Sequence, residues 1–165
     1  MAKPAVAKPV FVYVVYINTT AEKVWNALTD GELTRQYWLN QRNTSDWKVG
    51  SPWRHEDYDH PGILDVVGTV IESDRPHRLV VTWADPEEAD DPTKRSRVTY
   101  AIDQDGPIVR LTVTHDEFEP DSDTALGLVE GWPFILSSLK TLLETGTAMP
   151  PIWTRTDDGW TKTRF

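Results

Sequence analysis

The sequence predicts an α+β domain in which a curved antiparallel sheet wraps around one long C-terminal helix. In residues 131–144 the apolar side chains recur at i, i+3, i+4, i+7, i+10 and i+11, which is one continuous helical face. Most of the preceding chain consists of β-branched and aromatic segments separated by short turns, and such connections permit only antiparallel neighbours. A long amphipathic helix needs a large surface to lie on, and a curved sheet provides it.

The first part of the chain predicts a strand followed by two short helices. Residues 1–9 are expected to form a flexible arm. Residues 10–17 are β-branched and aromatic throughout, which predicts a strand buried on much of both faces. Threonines then provide a helix cap, so a helix is expected over residues 21–30, and a second short one over residues 32–39. A connection this short makes the two helices pack as a V.

Six successive segments after the short helices read as strands. Turn residues separate them, and no helical pattern of 10–15 residues lies between them, so a parallel βαβ sheet is excluded. The predicted strands lie within residues 43–47, 51–58, 62–74, 77–84, 95–103 and 107–118.

The last helix carries its own start and stop signals. Residues 120–123, Pro-Asp-Ser-Asp, are typical of a helix N-terminus. Pro133 predicts a kink, or a restart near Gly131, and Gly146 is expected to end the helix in a left-handed conformation. The predicted organisation is a flexible arm (1–9), one domain (10–148) and a polar tail (149–165). The sequence leaves open whether this tail packs on the domain.

Composition narrows the function classes. The 165 residues carry a net charge of −9, which argues against binding a phosphate backbone, so no nucleic-acid partner is expected. The chain has no cysteine, and this excludes disulfides, thiolate nucleophiles and cysteine metal sites. Residues 1–10 do not read as a signal peptide, and no segment approaches the roughly 20 apolar residues of a membrane span. A cytoplasmic location is therefore expected.

Three segments carry a family resemblance: VWNALTDGELTRQYW (24–38), GTVIESDRPHRLVVTW (68–83) and GWPFILSSLKTLLETG (131–146). The chain resembles the START-like (SRPBCC) superfamily, in the branch named for the C-terminal domain of the heat-shock-protein ATPase activator. The resemblance spans residues 10–148. It implies the helix-grip fold, with a seven-stranded sheet, two small helices and a long C-terminal helix around a cavity. It also implies a bacterial protein that binds a lipid or another hydrophobic molecule rather than catalysing a defined reaction.

Strand alternation and the helical face select the residues that would line such a cavity. Inward faces of the strands and the apolar face of the last helix are expected to meet around it. The candidate ligand-binding residues are Trp53, His55, Trp83, Tyr100, Leu111, Val113, His115, Trp132, Ile135, Leu136 and Leu139. A buried tyrosine, tryptophan or histidine must find a polar partner, which is either a ligand or a backbone or water partner in a closed core.

The sequence also predicts the positions of three side chains on the short helices and at the end of the last predicted strand. Trp25 lies in helical register with Ala21 and Leu28 and is expected in the core. Trp38 is expected to be half-exposed at the mouth of the cavity. His115 either enters the cavity or lies exposed at its rim beside carboxylates, which would favour the charged imidazole.

No motif for catalysis or metal binding is present in the sequence. It has no G-x-S-x-G, and its histidines and carboxylates lack the spacing of a zinc or two-His-one-carboxylate site, so no catalytic residue, metal or cofactor is expected. The favoured hypothesis is a protein that binds a hydrophobic or aromatic small molecule. One alternative is a protein that interacts with a chaperone or regulator, which an exposed apolar patch would favour. The other is a cyclase- or hydrolase-like enzyme acting in the same cavity.

Overall fold

One antiparallel sheet and one long helix form the fold. The computed structural model describes residues 1–163. The strands are β1 (Phe11–Ile17), β2 (Gln41–Thr44), β3 (Pro52–Asp57), β4 (Leu64–Asp74), β5 (Arg78–Trp83), β6 (Ser96–Asp105), β7 (Ile108–Asp116), β8 (Trp153–Thr156) and β9 (Gly159–Lys162). The helices are α1 (Ala21–Thr29), α2 (Gly31–Tyr37) and α3 (Asp123–Thr145). The main sheet has the order β1-β7-β6-β5-β4-β3-β2. The predicted α+β class and helix-grip arrangement are confirmed.

Two irregularities in strand pairing curve the sheet towards the helices. The register shifts between His55 and Glu56 on β3, and between Val70 and Glu72 on β4. Such bulges bend a strand and increase its local twist. The sheet therefore forms a concave surface that can enclose α3.

The long helix begins and ends where its capping residues are. The Ser122 hydroxyl accepts a hydrogen bond from the Ala125 N–H, and Gly146 has a φ of 83° with its N–H bonded to the Leu142 carbonyl. The predicted restart near Gly131 is wrong, because the helix runs through Pro133 without a break. Buried side chains on both sides of this proline hold the two halves against one core.

The first strand differs from its prediction. Its side chains alternate between the core and solvent, and Val12, Val14 and Tyr16 are exposed. The prediction of burial on much of both faces is wrong because no element of residues 1–163 covers the outer face of the sheet at β1. Hydrophobic composition alone did not show that one face of this strand is open to solvent.

The C-terminal residues form a hairpin that packs on α3. The ring of Trp153 in β8 meets Phe134 edge-on at a centroid distance of 5.2 Å. The Met149 N–H donates to the Ser138 hydroxyl at 3.2 Å, and Arg155 forms ion pairs with Asp57 and Asp65. A second face of α3 is thereby buried. No helix within residues 1–163 is long and apolar enough to cross a membrane.

Candidate functional site

Three indoles from different elements meet where α3 crosses the end of β5. Trp38 follows α2, Trp83 ends β5, and Trp132 lies in the middle of α3. Their ring centroids are 5.5 to 6.3 Å apart, within the range of favourable aromatic packing. We call them the tryptophan cluster. Trp38 is buried rather than half-exposed as predicted, because both other indoles pack against it.

A pocket of about 240 Å³ opens beside the tryptophan cluster, under the N-terminal half of α3. We call it the mouth pocket. Its lining residues are Trp38, Trp83, Asp123, Thr124, Gly127, Leu128, Gly131, Trp132 and Ile135. A Cβ atom built on Gly127 or on Gly131 would have no atom within 4 Å, so the glycines leave one side of the helix bare over open space.

A directed chain of hydrogen bonds fixes one wall of this pocket. The Trp132 Nε1–H donates to His115 Nδ1 at 3.2 Å, so the imidazole proton is on Nε2. His115 Nε2 lies 2.7 Å from the Ser96 hydroxyl, which donates in turn to the Trp83 carbonyl at 3.1 Å. Each donor has an acceptor, and the chain ties α3 to β5, β6 and β7.

The imidazole in this chain is neutral at physiological pH. Burial lowers the pKa of His115 to about 4, although the nearby Asp116 carboxylate acts in the opposite direction. The rim position considered from the sequence is wrong, since the side chain is fully buried. His115 therefore orients the Trp132 indole and is not poised as a general base at neutral pH.

His55 occupies a second buried polar site next to the tryptophan cluster. Its ring packs 4.9 Å from that of Trp38, and its Nδ1 lies 2.6 Å from Asn43 Oδ1. The Asn43 amide donates to the Leu28 carbonyl, which turns its oxygen towards the imidazole. Burial, followed by the charge of Arg155, lowers the pKa of His55 to about 3. This imidazole is also neutral, and it connects β3 to α1 through Asn43.

Trp53 and Tyr100 support the cluster from the sheet. The Trp53 Nε1–H donates to the Thr82 carbonyl at 2.8 Å, and its ring lies 5.4 Å from that of Trp83. Gly68 makes this possible, since a Cβ there would come within 2.4 Å of the indole nitrogen. Tyr100 packs edge-on to Trp132 at 6.0 Å, and burial raises the pKa of its hydroxyl.

The structure divides the eleven candidate residues into two groups. Three of them, Trp83, Trp132 and Ile135, line the mouth pocket. The others lie outside that lining, buried in the core around it: Trp53, His55, Tyr100, Leu111, Val113, His115, Leu136 and Leu139. The role of all eleven in ligand binding stays a prediction.

Sequence reasoning did not identify the residues in the N-terminal half of α3 that line the pocket. Gly127 and Gly131 are four residues apart, so they lie on the same side of α3. Each glycine inside a helix costs about 1 kcal/mol relative to alanine, and two at this spacing were the available signal. Asp123 was interpreted only as a helix-start residue, and Thr124 was not singled out.

The comparisons with known proteins agree with this architecture. The family described as "Activator of Hsp90 ATPase homolog 1-like protein" matches residues 18–144. The chain belongs to this family. The START-like resemblance is thereby confirmed. No curated protein sequence matches the chain.

Solved structures similar to this Hsp90-activator-like chain cover most of its length. Protein MLL2253 from Mesorhizobium loti is 25% identical, with a TM-score of 0.67 over 82% of this chain and 96% of that one. The Aha1 dimer from Colwellia psychrerythraea is 19% identical, with a TM-score of 0.68 over 84% of this chain and 98% of that one. PFC0360w, an HSP90 activator from Plasmodium falciparum, is 21% identical, with a TM-score of 0.57 over 84% and 89%. The last two support the fold alone.

Proposed function

We propose that this protein binds a compact hydrophobic or aromatic molecule in the mouth pocket. The observation that carries the proposal is the bare stretch of α3 at Gly127 and Gly131, which lines the mouth pocket together with three indoles. Two glycines weaken the helix by about 2 kcal/mol relative to alanines, and no close approach of another element requires them. The two glycines keep the pocket open, and this role accounts for the loss of helix stability.

The size and chemistry of the pocket define the class of molecule. Its volume of about 240 Å³ is below the usual range of pockets for drug-sized ligands, which favours a compact ring system over a long-chain lipid. The indoles, Leu128 and Ile135 provide an apolar surface that gains affinity by burial. The hydrogen-bond chain through His115 holds the Trp132 indole in a fixed orientation before a ligand arrives, which reduces the entropy lost on binding.

A ligand screen, combined with a substitution that fills the pocket, tests this proposal. A thermal-shift screen of aromatic, flavonoid, sterol and fatty-acid compounds should give hits among the compact aromatics. A ligand at one hundred times its Kd adds about 2.7 kcal/mol, which raises Tm by roughly 5–11 °C for a domain of this size. Gly131→Leu places a side chain in the open space, so we expect the folded variant to lose these shifts.

Two matched variants complete the experiment. Val129→Leu adds one methylene on the exposed side of the same helix, so ligands should still raise the Tm of this variant. Trp83→Phe reduces an indole that lines the pocket and should weaken binding more than it lowers stability. Retention of every hit by Gly131→Leu would contradict binding in the mouth pocket.

A regulatory interaction with an Hsp90-type ATPase is the second candidate function. It is favoured by the family relationship and by the exposed apolar stripe of Val12, Val14 and Tyr16 on β1. If this surface meets the partner, Val14→Lys should abolish any stimulation of an Hsp90 ATPase by the protein. Gly131→Leu should leave such stimulation unchanged. An ATPase rate that is the same with and without the wild-type protein would exclude this candidate.

A further inference from the structure

We infer that the ligand of the mouth pocket is an organic cation: a compact, largely aromatic body carrying an ammonium or similar positive charge. This inference rests on the binding function proposed above and specifies its ligand. Two independent features of the structure carry it. One is the aromatic wall of the pocket, and the other is the distribution of charge around its opening.

Three of the nine residues that line the pocket carry the side chain that best accepts a cation. Indole has the strongest attraction for a cation among the aromatic side chains, and the attraction grows when water is excluded. The lining contains three indoles, and Trp38 and Trp132 are more than nine-tenths buried. The lining contains no lysine, arginine or histidine that would repel a cation. Its titratable residue is Asp123, on the first turn of α3.

The two loops that leave the sheet at the Trp83 end are strongly acidic, and the second of them leads into Asp123 of the pocket lining. Strands β5, β6 and β7 are antiparallel neighbours, so the β5–β6 loop and the β7–α3 loop leave the sheet at the same end, next to Trp83. Residues 84–95 contain five carboxylates and two cationic side chains. Residues 116–123 contain five carboxylates and no cationic side chain.

Some of this negative charge is neutralised, and much of it is not. Asp116 pairs with Arg97 at 2.8 Å, and Glu119 pairs with Lys8 at 3.2 Å. Within residues 1–163, Glu117, Asp121 and Asp123 form no salt bridge. Carboxylates around a cleft with apolar walls concentrate the field and raise the local concentration of cations.

The helix dipole acts in the opposite direction but is the weaker effect. The N-terminus of α3 carries a partial positive charge equivalent to roughly half an elementary charge, which would favour an anion. The Ser122 hydroxyl already caps this end, and the Asp123 carboxylate adds a full negative charge in the first turn. The sum at the opening of the pocket is therefore negative.

Three probes that share a naphthalene body and differ in charge test the inference: 2-naphthylmethylammonium, 2-naphthylmethanol and 2-naphthoate. Isothermal titration calorimetry of the full chain would measure their Kd values in 50 mM and 300 mM NaCl. We expect the cation to bind at least about tenfold more tightly than the alcohol, and the carboxylate to bind most weakly. The affinity of the cation should fall several-fold at the higher salt, while that of the alcohol should stay constant.

Charge variants locate the effect. Asp123→Asn should reduce the affinity for the cation and leave the affinity for the alcohol unchanged. Asp74→Asn is the matched control, since Asp74 is exposed at the opposite end of the sheet, as the last residue of β4. Equal binding of the alcohol and the cation would overturn the inference and leave the proposed pocket function intact. Failure of all three probes to bind would overturn both.

Discussion

Between pH 8 and pH 5 the free energy of unfolding is expected to fall by about 4 kcal/mol because of two buried histidines. The pKa values of His55 and His115 are about 3 and about 4 in the folded protein, whereas an unfolded histidine has a pKa of about 6.5. Below pH 6.5 the unfolded chain therefore binds protons that the folded chain does not. Stability is fully present above the unfolded pKa and is lost as the pH falls towards the folded values.

The magnitude follows from the linkage relation. Each histidine contributes a loss of about 2 kcal/mol by pH 5, and the two are additive if their proton equilibria are independent. Most carboxylates are still ionised at pH 5. Burial raises the pKa of Asp65 against the pull of Arg155, and this shift acts on stability in the opposite direction to that of the histidines. Urea unfolding followed by tryptophan fluorescence at each pH measures the loss.

Nuclear magnetic resonance gives a direct control for the histidine assignment. The ring C–H signals of His55 and His115 should keep the shifts of neutral imidazole down to pH 5. His115→Gln should remove about half of the pH-dependent loss, whatever its effect on stability at pH 8. A titration midpoint near pH 6.5 for both rings would disprove this account.

The second large effect is expected at Leu139 on α3. This side chain is fully buried between the helix and the sheet, so Leu139→Ala should lower the free energy of unfolding by about 2–5 kcal/mol. The loss combines the transfer free energy of the deleted atoms with the cost of the cavity that remains. Urea unfolding at pH 7.5 would measure it, and the melting temperature should fall accordingly.

The same helix offers a matched control for this substitution. Leu126 is 70% exposed on α3, so Leu126→Ala deletes the same atoms where no core contact is lost. We expect a change within about 0.5 kcal/mol, since exposed positions rarely contribute more. A loss below about 1 kcal/mol for Leu139→Ala would contradict the packing of this helical face against the sheet.

The main features of the fold could be predicted because they repeat along the chain. The spacing from Trp132 to Leu143 is a helical period sustained over three turns, and Gly146 ends it as predicted. The strands alternate and are separated by turn residues, and short connections leave only antiparallel pairing. These signals are local, so neighbours along the sequence were sufficient to determine them.

The candidate site was predicted only in part, for a physical reason. Trp83, Trp132 and Ile135 lie on faces that periodicity selects, and they line the mouth pocket. Trp38 could not be placed, because its burial depends on two indoles that are distant in sequence. A glycine pair in a helix gives no information about which element faces it, so the open space at Gly131 became visible only with the sheet in position.

The sequence by itself determined the class of fold, the long helix with its end at Gly146, and the apolar faces that form the core. The tertiary structure alone decided that Phe134 packs beneath the C-terminal hairpin and that Ser138 is buried against the segment leading into it. It also decided that β1 presents valines to solvent. It also decided that His115 is a neutral link between Trp132 and Ser96. Periodicity specifies which side of an element is apolar, but only packing specifies what that side meets.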